Sequence, residues 1–163
     1  MKKLHQFLVY TVLLSLVLAC NPSKENMSLE ELYTYKADSI ISNMTLEEKI
    51  GQLNLPASGD FTTGLASSSN IAEMIKAGSV GGLFNIKTAE KIRAVQKIAV
   101  EESRLKIPLI FGMDVIHGYE TLFPIPIGMS SIWDMELVEK SARIAAIEAS
   151  ADGINWTFSP MTD

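Results

Sequence analysis

The chain has 163 residues, 47% of them apolar and 20% charged, a composition suited to one medium domain or to part of a larger one. Acidic residues outnumber basic ones by 19 to 14 and are spread along the chain, for a net charge of −5. That balance argues against a nucleic-acid partner, whose phosphates require a basic surface.

The first residues read as an export signal rather than as part of the fold. A basic "MKK" precedes the apolar run "FLVYTVLLSLVLA", which is shorter than the ~20 apolar residues of a comfortable membrane span. The one cysteine, Cys20, closes the run in "LVLAC" and is the expected lipidation site of a bacterial lipoprotein signal over residues 1–19. The bland alternative is an ordinary signal peptide or a lone buried thiol. A chain lipidated at Cys20 keeps no thiol for disulfides and works outside the cytoplasm, in the periplasm or cell envelope, with the lipid as its only membrane attachment. Residues 20–28 are polar and turn-rich and suit a tether, leaving 29–163 for the domain.

"SLEELYTYKADSIISNM" reads as a helix with Leu29, Leu32, Ile40 and Ile41 as its apolar contacts. In "MTLEEKIGQLNL", Thr45 followed three places later by Glu48 is a capping box, in which each side chain satisfies an orphan backbone N–H. "ASGDFTTGLASSSN" is a small-residue loop, "IAEMIKAG" a short helix stopped by Gly78, and "SVGGLFN" a short strand. In "KTAEKIRAVQKIAVEESRLK", Ala89, Ile92, Val95 and Ala99 share one helical face. "IPLIFG" is a continuous apolar strand of the kind buried on both faces of a parallel sheet. "WDMELVEKSARIAAIEASADG" is a helix with Asp134 as N-cap and Gly153 as stop, and "INWTFSP" is a last strand.

Strands alternating with amphipathic helices mean βα units and a parallel sheet. A doubly wound sheet and a (β/α)8 barrel both fit that alternation. No glycine-rich nucleotide fingerprint follows any strand, which removes the main support for a nucleotide-binding sheet. A barrel needs about eight strands, so three strand candidates make the chain an incomplete portion of one, and a fragment of a longer protein is expected.

The residue that stands out is Asp114, just beyond "IPLIFG", where barrel enzymes place their chemistry. An ionised carboxylate there can accept hydrogen bonds from sugar hydroxyls, act as a base, hold a metal, or simply cap a loop. His117 lies three places on, but His5 belongs to the signal, so no two-histidine metal site can form. The blander role for His117 is to pin its loop. "FPIPIG" makes that loop stiff, since proline fixes φ. Trp133 and Trp156 are of a type that stacks on sugars, yet packing in the interior is the expected role of each. Glu101, Glu102, Glu148 and Asp152 lie on helices and read as solvated faces or caps. Asp163, the final residue, has no context.

Together, "MTLEEKIGQLNL", "GGLFN", "IPLIFGMDVIHGYETLFPIPIG" and "SSIWDMELVEKSARIAAIEASADGINWTFSPMTD" resemble, in this order, the N-terminal part of glycoside hydrolase family 3, in its periplasmic β-glucosidase branch. The resemblance runs from about Met44 to Asp163. It implies the incomplete N-terminal portion of a TIM-like (β/α)8 barrel, and retaining exo-acting hydrolysis of terminal non-reducing β-D-glucosyl residues. That chemistry uses two carboxylates about 5–5.5 Å apart. It also implies that Asp114 binds hydroxyls of the terminal glucose, where the xylosidase branch usually has a glutamate. A β-glucoside or oligosaccharide is then the substrate, with no cofactor and no metal. The family's "RDPRWGR" segment, its Lys-His pair, its nucleophile aspartate and its acid/base glutamate are expected beyond Asp163, so the chain alone is expected to be inactive. The alternative is a non-enzymatic, lipid-anchored sugar-binding or scaffold protein that keeps Asp114.

Overall fold

A computed structural model describes residues 27–57 and 70–161. The expected signal, Cys20, most of the tether and Asp163 lie outside the described residues. The chain divides into two units, 1–43 and 44–163.

In the first unit, helix α1 (Leu29–Ser42) starts at a capping box. The Ser28 N–H donates to Glu31 Oε2 at 2.9 Å, and the Glu31 N–H donates to the Ser28 hydroxyl at 3.3 Å. The Ser28 N–H first, then the Ser28 hydroxyl donating to the same Oε2 at 2.9 Å, hold the Glu31 carboxyl below its usual range. The helix has no buried residue, and Leu29, Ile40 and Ile41 are exposed. The helix forms where the sequence indicates it, its Ser28–Glu31 capping box was missed, and Leu29, Ile40 and Ile41, expected as apolar contacts, are left largely exposed.

The second unit is the α/β body. Helix α2 (Leu46–Gly51) carries the Thr45–Glu48 capping box. The chain then runs extended through Asn54–Ala57 and lies parallel beside β1 (Gly82–Phe84): the Gly81 N–H donates to Asn54 O at 3.1 Å and the Phe84 N–H to Pro56 O at 2.9 Å. Helix α3 (Ile71–Lys76) ends before Gly78, whose φ of +71° is left-handed. Helix α4 (Ala89–Lys97) runs on into one wider π turn, Ile98–Glu102. Strand β2 (Ile110–Met113), helix α5 (Pro126–Ser130), helix α6 (Met135–Asp152) and strand β3 (Trp156–Thr157) complete the order. Asp134 and Gly153 cap α6 as the sequence indicates, Gly153 with φ +99°.

β2 pairs in parallel with β1 on one side, Leu83 opposite Phe111, and with β3 on the other, Gly112 opposite Trp156. The sheet order is β1-β2-β3, with the Asn54–Ala57 segment outside β1. Each strand is thus added to the same side as the chain advances, as in a barrel, without the reversal that marks a doubly wound sheet. The sheet is open. The Asn54–Ala57 pairing was missed in the sequence because the segment contains Pro56 and lacks alternation.

Side-chain amides extend the ladder. The Gln96 side chain accepts from the Leu109 N–H at 2.8 Å, and Asn155 Oδ1 accepts from the Phe111 N–H at 2.8 Å. The core gathers on the helix-covered face around Leu83, Ile86 and Phe111, with Ile75, Ile92, Ala99, Ala145 and Ala149 packed against them. Each buried leucine, isoleucine or phenylalanine contributes about 1.5–3 kcal/mol. β2 departs from burial on both faces at Ile110, which is 50% exposed. Ser141, Ala145 and Ala149 form a buried stripe of small residues on α6.

Glu48 is only 6% exposed. Its carboxylate closes the capping box with the Thr45 N–H at 2.9 Å and also receives the Arg104 guanidinium, Nε on Oε1 at 2.8 Å and Nη2 on Oε2. A charge so desolvated persists only when paired on both oxygens. Close by, Gly51 and Gly81 let backbones touch: a Cβ would lie 2.1 Å from Gly78 O at the first and 2.2 Å from Gln52 O at the second. The Arg104 bonds first, then the Thr45 N–H, hold the Glu48 carboxyl down at about 2. A lowered carboxyl stabilises the fold above its ordinary value of 4.5, and that stability drains away as pH falls towards 2. Urea midpoints measured across this range are expected to fall for the native chain. Arg104→Gln is expected to be destabilised already at neutral pH and to show a shallower acid dependence, since the largest of the bonds that lower the Glu48 carboxyl is gone.

Candidate functional site

Parallel strands end on one edge, so the residues after β1, β2 and β3 become neighbours in space order. They are Asn85, Asp114 and Phe158. Asn85 has φ +60°, and its N–H donates to Gly112 O at 3.0 Å. Asp114 is exposed, and its carboxylate makes no hydrogen bond or ion pair among the described residues. The loop-cap role is therefore not the one it plays. Val115 next to it is buried, and its carbonyl accepts from the Ser159 hydroxyl at 2.7 Å. The exit from β3 is thereby tied to the residue that follows Asp114.

Beyond Val115 the loop folds back as a small hairpin. His117 Nδ1 lies 3.0 Å from Phe123 O, and the Phe123 N–H donates to His117 O at 2.8 Å. A carbonyl only accepts, so the proton of this pair is on Nδ1. His117 pins its loop, as the blander expectation held.

Two acids on α6 take the tip of the hairpin. Glu148 Oε2 accepts from the N–H groups of Glu120 at 2.9 Å and Thr121 at 2.8 Å, and Oε1 accepts from the Thr121 hydroxyl at 2.6 Å. The Thr121 hydroxyl first, then the two N–H groups, hold the Glu148 carboxyl below its usual range. Asp152 Oδ2 accepts from the Tyr119 hydroxyl at 2.6 Å and from the Thr88 N–H at 3.3 Å. Burial, then this bond, pushes the Tyr119 hydroxyl well above its ordinary value. The sequence reading of Glu148 and Asp152 as solvated faces or caps is corrected: both hold residues far away in the chain. Their i,i+4 spacing was a signal that two acids share one face, but nothing local named their partners. Glu101 and Glu102 are exposed, pairing with Lys97 at 3.9 Å and Lys76 at 3.1 Å.

Neither tryptophan is interior, contrary to expectation. Trp133 is 92% exposed and Trp156 47%. Trp133 lies between α5 and the α6 cap with φ +56°, outside the packed face of either helix. Both line an open, mainly apolar cavity of about 910 Å³ between the Val115–Pro126 loop, α6 and the end of β3. Asp114 is not among its lining residues. Phe158, missed in the sequence, meets Trp156 edge-on at 4.9 Å and Phe84 at 5.6 Å. Gly112 makes room for it, since a Cβ there would lie 2.7 Å from Phe158 Cζ. A glycine inside an apolar strand was the available signal. Among the described residues no three His, Cys, Asp or Glu side chains gather as a metal site, and no helix is long and apolar enough to cross a membrane.

The description "Glycosyl hydrolase family 3 N terminal domain" matches residues 45–163. The chain belongs to glycosyl hydrolase family 3. Within that family it is 44% identical, over 124 residues, to the periplasmic beta-glucosidase of Salmonella typhimurium strain LT2, covering 76% of this chain and 16% of that protein. The beta-glucosidase of Listeria innocua in complex with isofagomine has the same fold over 84% of this chain and 18% of its own, with a TM-score of 0.68 and 37% identity. The structure of the Listeria enzyme with glucose aligns with a TM-score of 0.67 and 34% identity, over 79% of this chain and 19% of its own. The family 3 chain described here thus spans under a fifth of the length of these relatives.

Gly112→Ala tests how the strand ends are packed. It is expected to displace Phe158, cost about 1–3 kcal/mol as overpacking does, and change the near-UV tryptophan circular dichroism while the far-UV spectrum is retained. An unchanged near-UV band would mean that Phe158 does not depend on the missing side chain.

Proposed function

We propose that this chain forms the first strands of the (β/α)8 barrel of an exported, retaining β-glucosidase, and that Asp114 grips the terminal glucose at the non-reducing end. The observation that carries the reading is a carboxylate left without a protein partner among the described residues, at the carboxyl end of a central parallel strand. Its acceptor sites are unspent, and paired sugar hydroxyls are the ligand they suit. Family membership and relatives named as beta-glucosidases support the substrate class. The relative named periplasmic supports an exported location, with Cys20 as the proposed lipid anchor. The apolar cavity over α6 fits a surface that further barrel elements would cover.

Asp114 positions rather than cuts. Hydrolysis with retention needs a nucleophile and an acid/base group about 5–5.5 Å apart. Two acids on the helix beside the loop after Asp114 are engaged in holding it, Glu148 with Thr121 and Asp152 with Tyr119. We place the nucleophile and the acid/base group outside this chain, as the family resemblance implies.

Two measurements check the proposal. The 163-residue chain by itself is expected to release no p-nitrophenol from an aryl β-glucoside; turnover by the isolated chain would show that its own acids suffice. In the longer protein, Asp114→Asn is expected to lower kcat/KM on that substrate more than about tenfold, the loss of a charged hydrogen bond of ~1.5–3 kcal/mol. An unchanged rate would take Asp114 out of the site.

A further inference from the structure

Asp114 has no side-chain partner of its own among the described residues, so its direction is inherited from the backbone on either side. On one side that backbone is β2, fixed by two parallel ladders. On the other it is the Val115–Ile125 loop, whose ties among the described residues include the Ser159 hydroxyl at Val115 O, the His117–Phe123 and Gly118–Leu122 pairings within the hairpin, and the carboxylates of α6 at the tip. The His117 pairing keeps the hairpin in shape but anchors it to nothing. Anchoring of the tip falls to α6. Glu148 takes three donors at 2.6–2.9 Å from two consecutive residues, Asp152 one turn on takes a fourth from Tyr119, and the Tyr119 ring itself is buried in the core. Lys87 adds its ammonium 4.8 Å above the Tyr119 ring and 4.0 Å from Glu120.

We propose that Glu148 is a positioning residue for sugar binding: by clamping the hairpin tip to α6 it sets the loop that begins at Asp114, without itself reaching the sugar. The inference rests on the reading of Asp114 as the group that grips glucose. It assigns to a helix acid a part in affinity that its place in the sequence does not reveal. A carboxylate is suited to the task because two N–H donors and a hydroxyl converge on it, and an ionised acceptor makes each bond stronger than a neutral one does. The three bonds also fix the φ and ψ of adjacent residues at the hairpin tip, where a loop otherwise has most freedom.

The test uses the longer protein that carries this chain, with Glu148→Ala, Glu148→Gln and Thr121→Val, read by deuterium uptake over residues 115–125 and by steady-state kinetics on an aryl β-glucoside. Glu148→Ala is expected to speed exchange at Glu120 and Thr121 and to raise KM about tenfold with kcat within about twofold. Glu148→Gln is expected to fall between, because its amide oxygen still accepts from both N–H groups and its NH2 donates to a rotated Thr121 hydroxyl. Thr121→Val, which loses one bond of the three and leaves α6 intact, is expected to show the smallest shift in the same direction. Unchanged exchange in Glu148→Ala would refute the clamp. Faster exchange with an unchanged KM, or a lower kcat that only follows the folded fraction, would refute the positioning role. An unmodified protein that hydrolyses no β-glucoside would overturn the sugar reading and the positioning role together, and the exchange data would show separately whether the clamp exists.

Discussion

Parallel pairing of β2 with a neighbour on each side is the constraint from which the site follows. Parallel strands cannot be joined by tight turns, so a helix must carry the chain back each time. The helices cover the face on which Leu83, Ile86 and Phe111 are buried. The same geometry delivers every strand exit to one edge. Asn85, Asp114 and Phe158 are brought together by topology alone, across 73 residues of chain, before any side chain chooses a partner.

Close approach is the second condition, and small residues meet it. Gly51 and Gly81 allow the end of α2 and the entry to β1 to lie backbone against backbone, and Gly112 lets the Phe158 ring lie across the sheet end. On α6, Ser141, Ala145 and Ala149 make the buried stripe small, and they line the cavity beside the Val115–Pro126 loop. A methyl group at the two tightest of these glycines would meet a carbonyl oxygen, which cannot rotate away as a side chain can.

The acids of the chain show how environment assigns roles to one functional group. Glu48 is desolvated and survives as an anion through two-oxygen pairing with Arg104. Glu148 is spent on a loop. Asp114, without a partner among the described residues, retains its full capacity to accept. In our proposal it is this carboxylate, at the end of a central strand, that meets the sugar.

Local signals in the sequence determined local structure. The Thr45–Glu48 and Asp134 caps, the stops at Gly78 and Gly153 and the apolar strand at Phe111 depend on neighbours a few residues away, and each formed where the pattern placed it. The position of Asp114 just past a strand was legible for the same reason. What tertiary structure decided were the pairings over distance. Arg104 reaches Glu48 across 56 residues, and Glu148 reaches Thr121 across 27. Pro56 and its neighbours became a strand edge because β1 offered donors, and two tryptophans expected inside were left facing a cavity. A one-dimensional pattern records which residues can satisfy one another, but only the folded sheet decides which of them arrive within bonding distance.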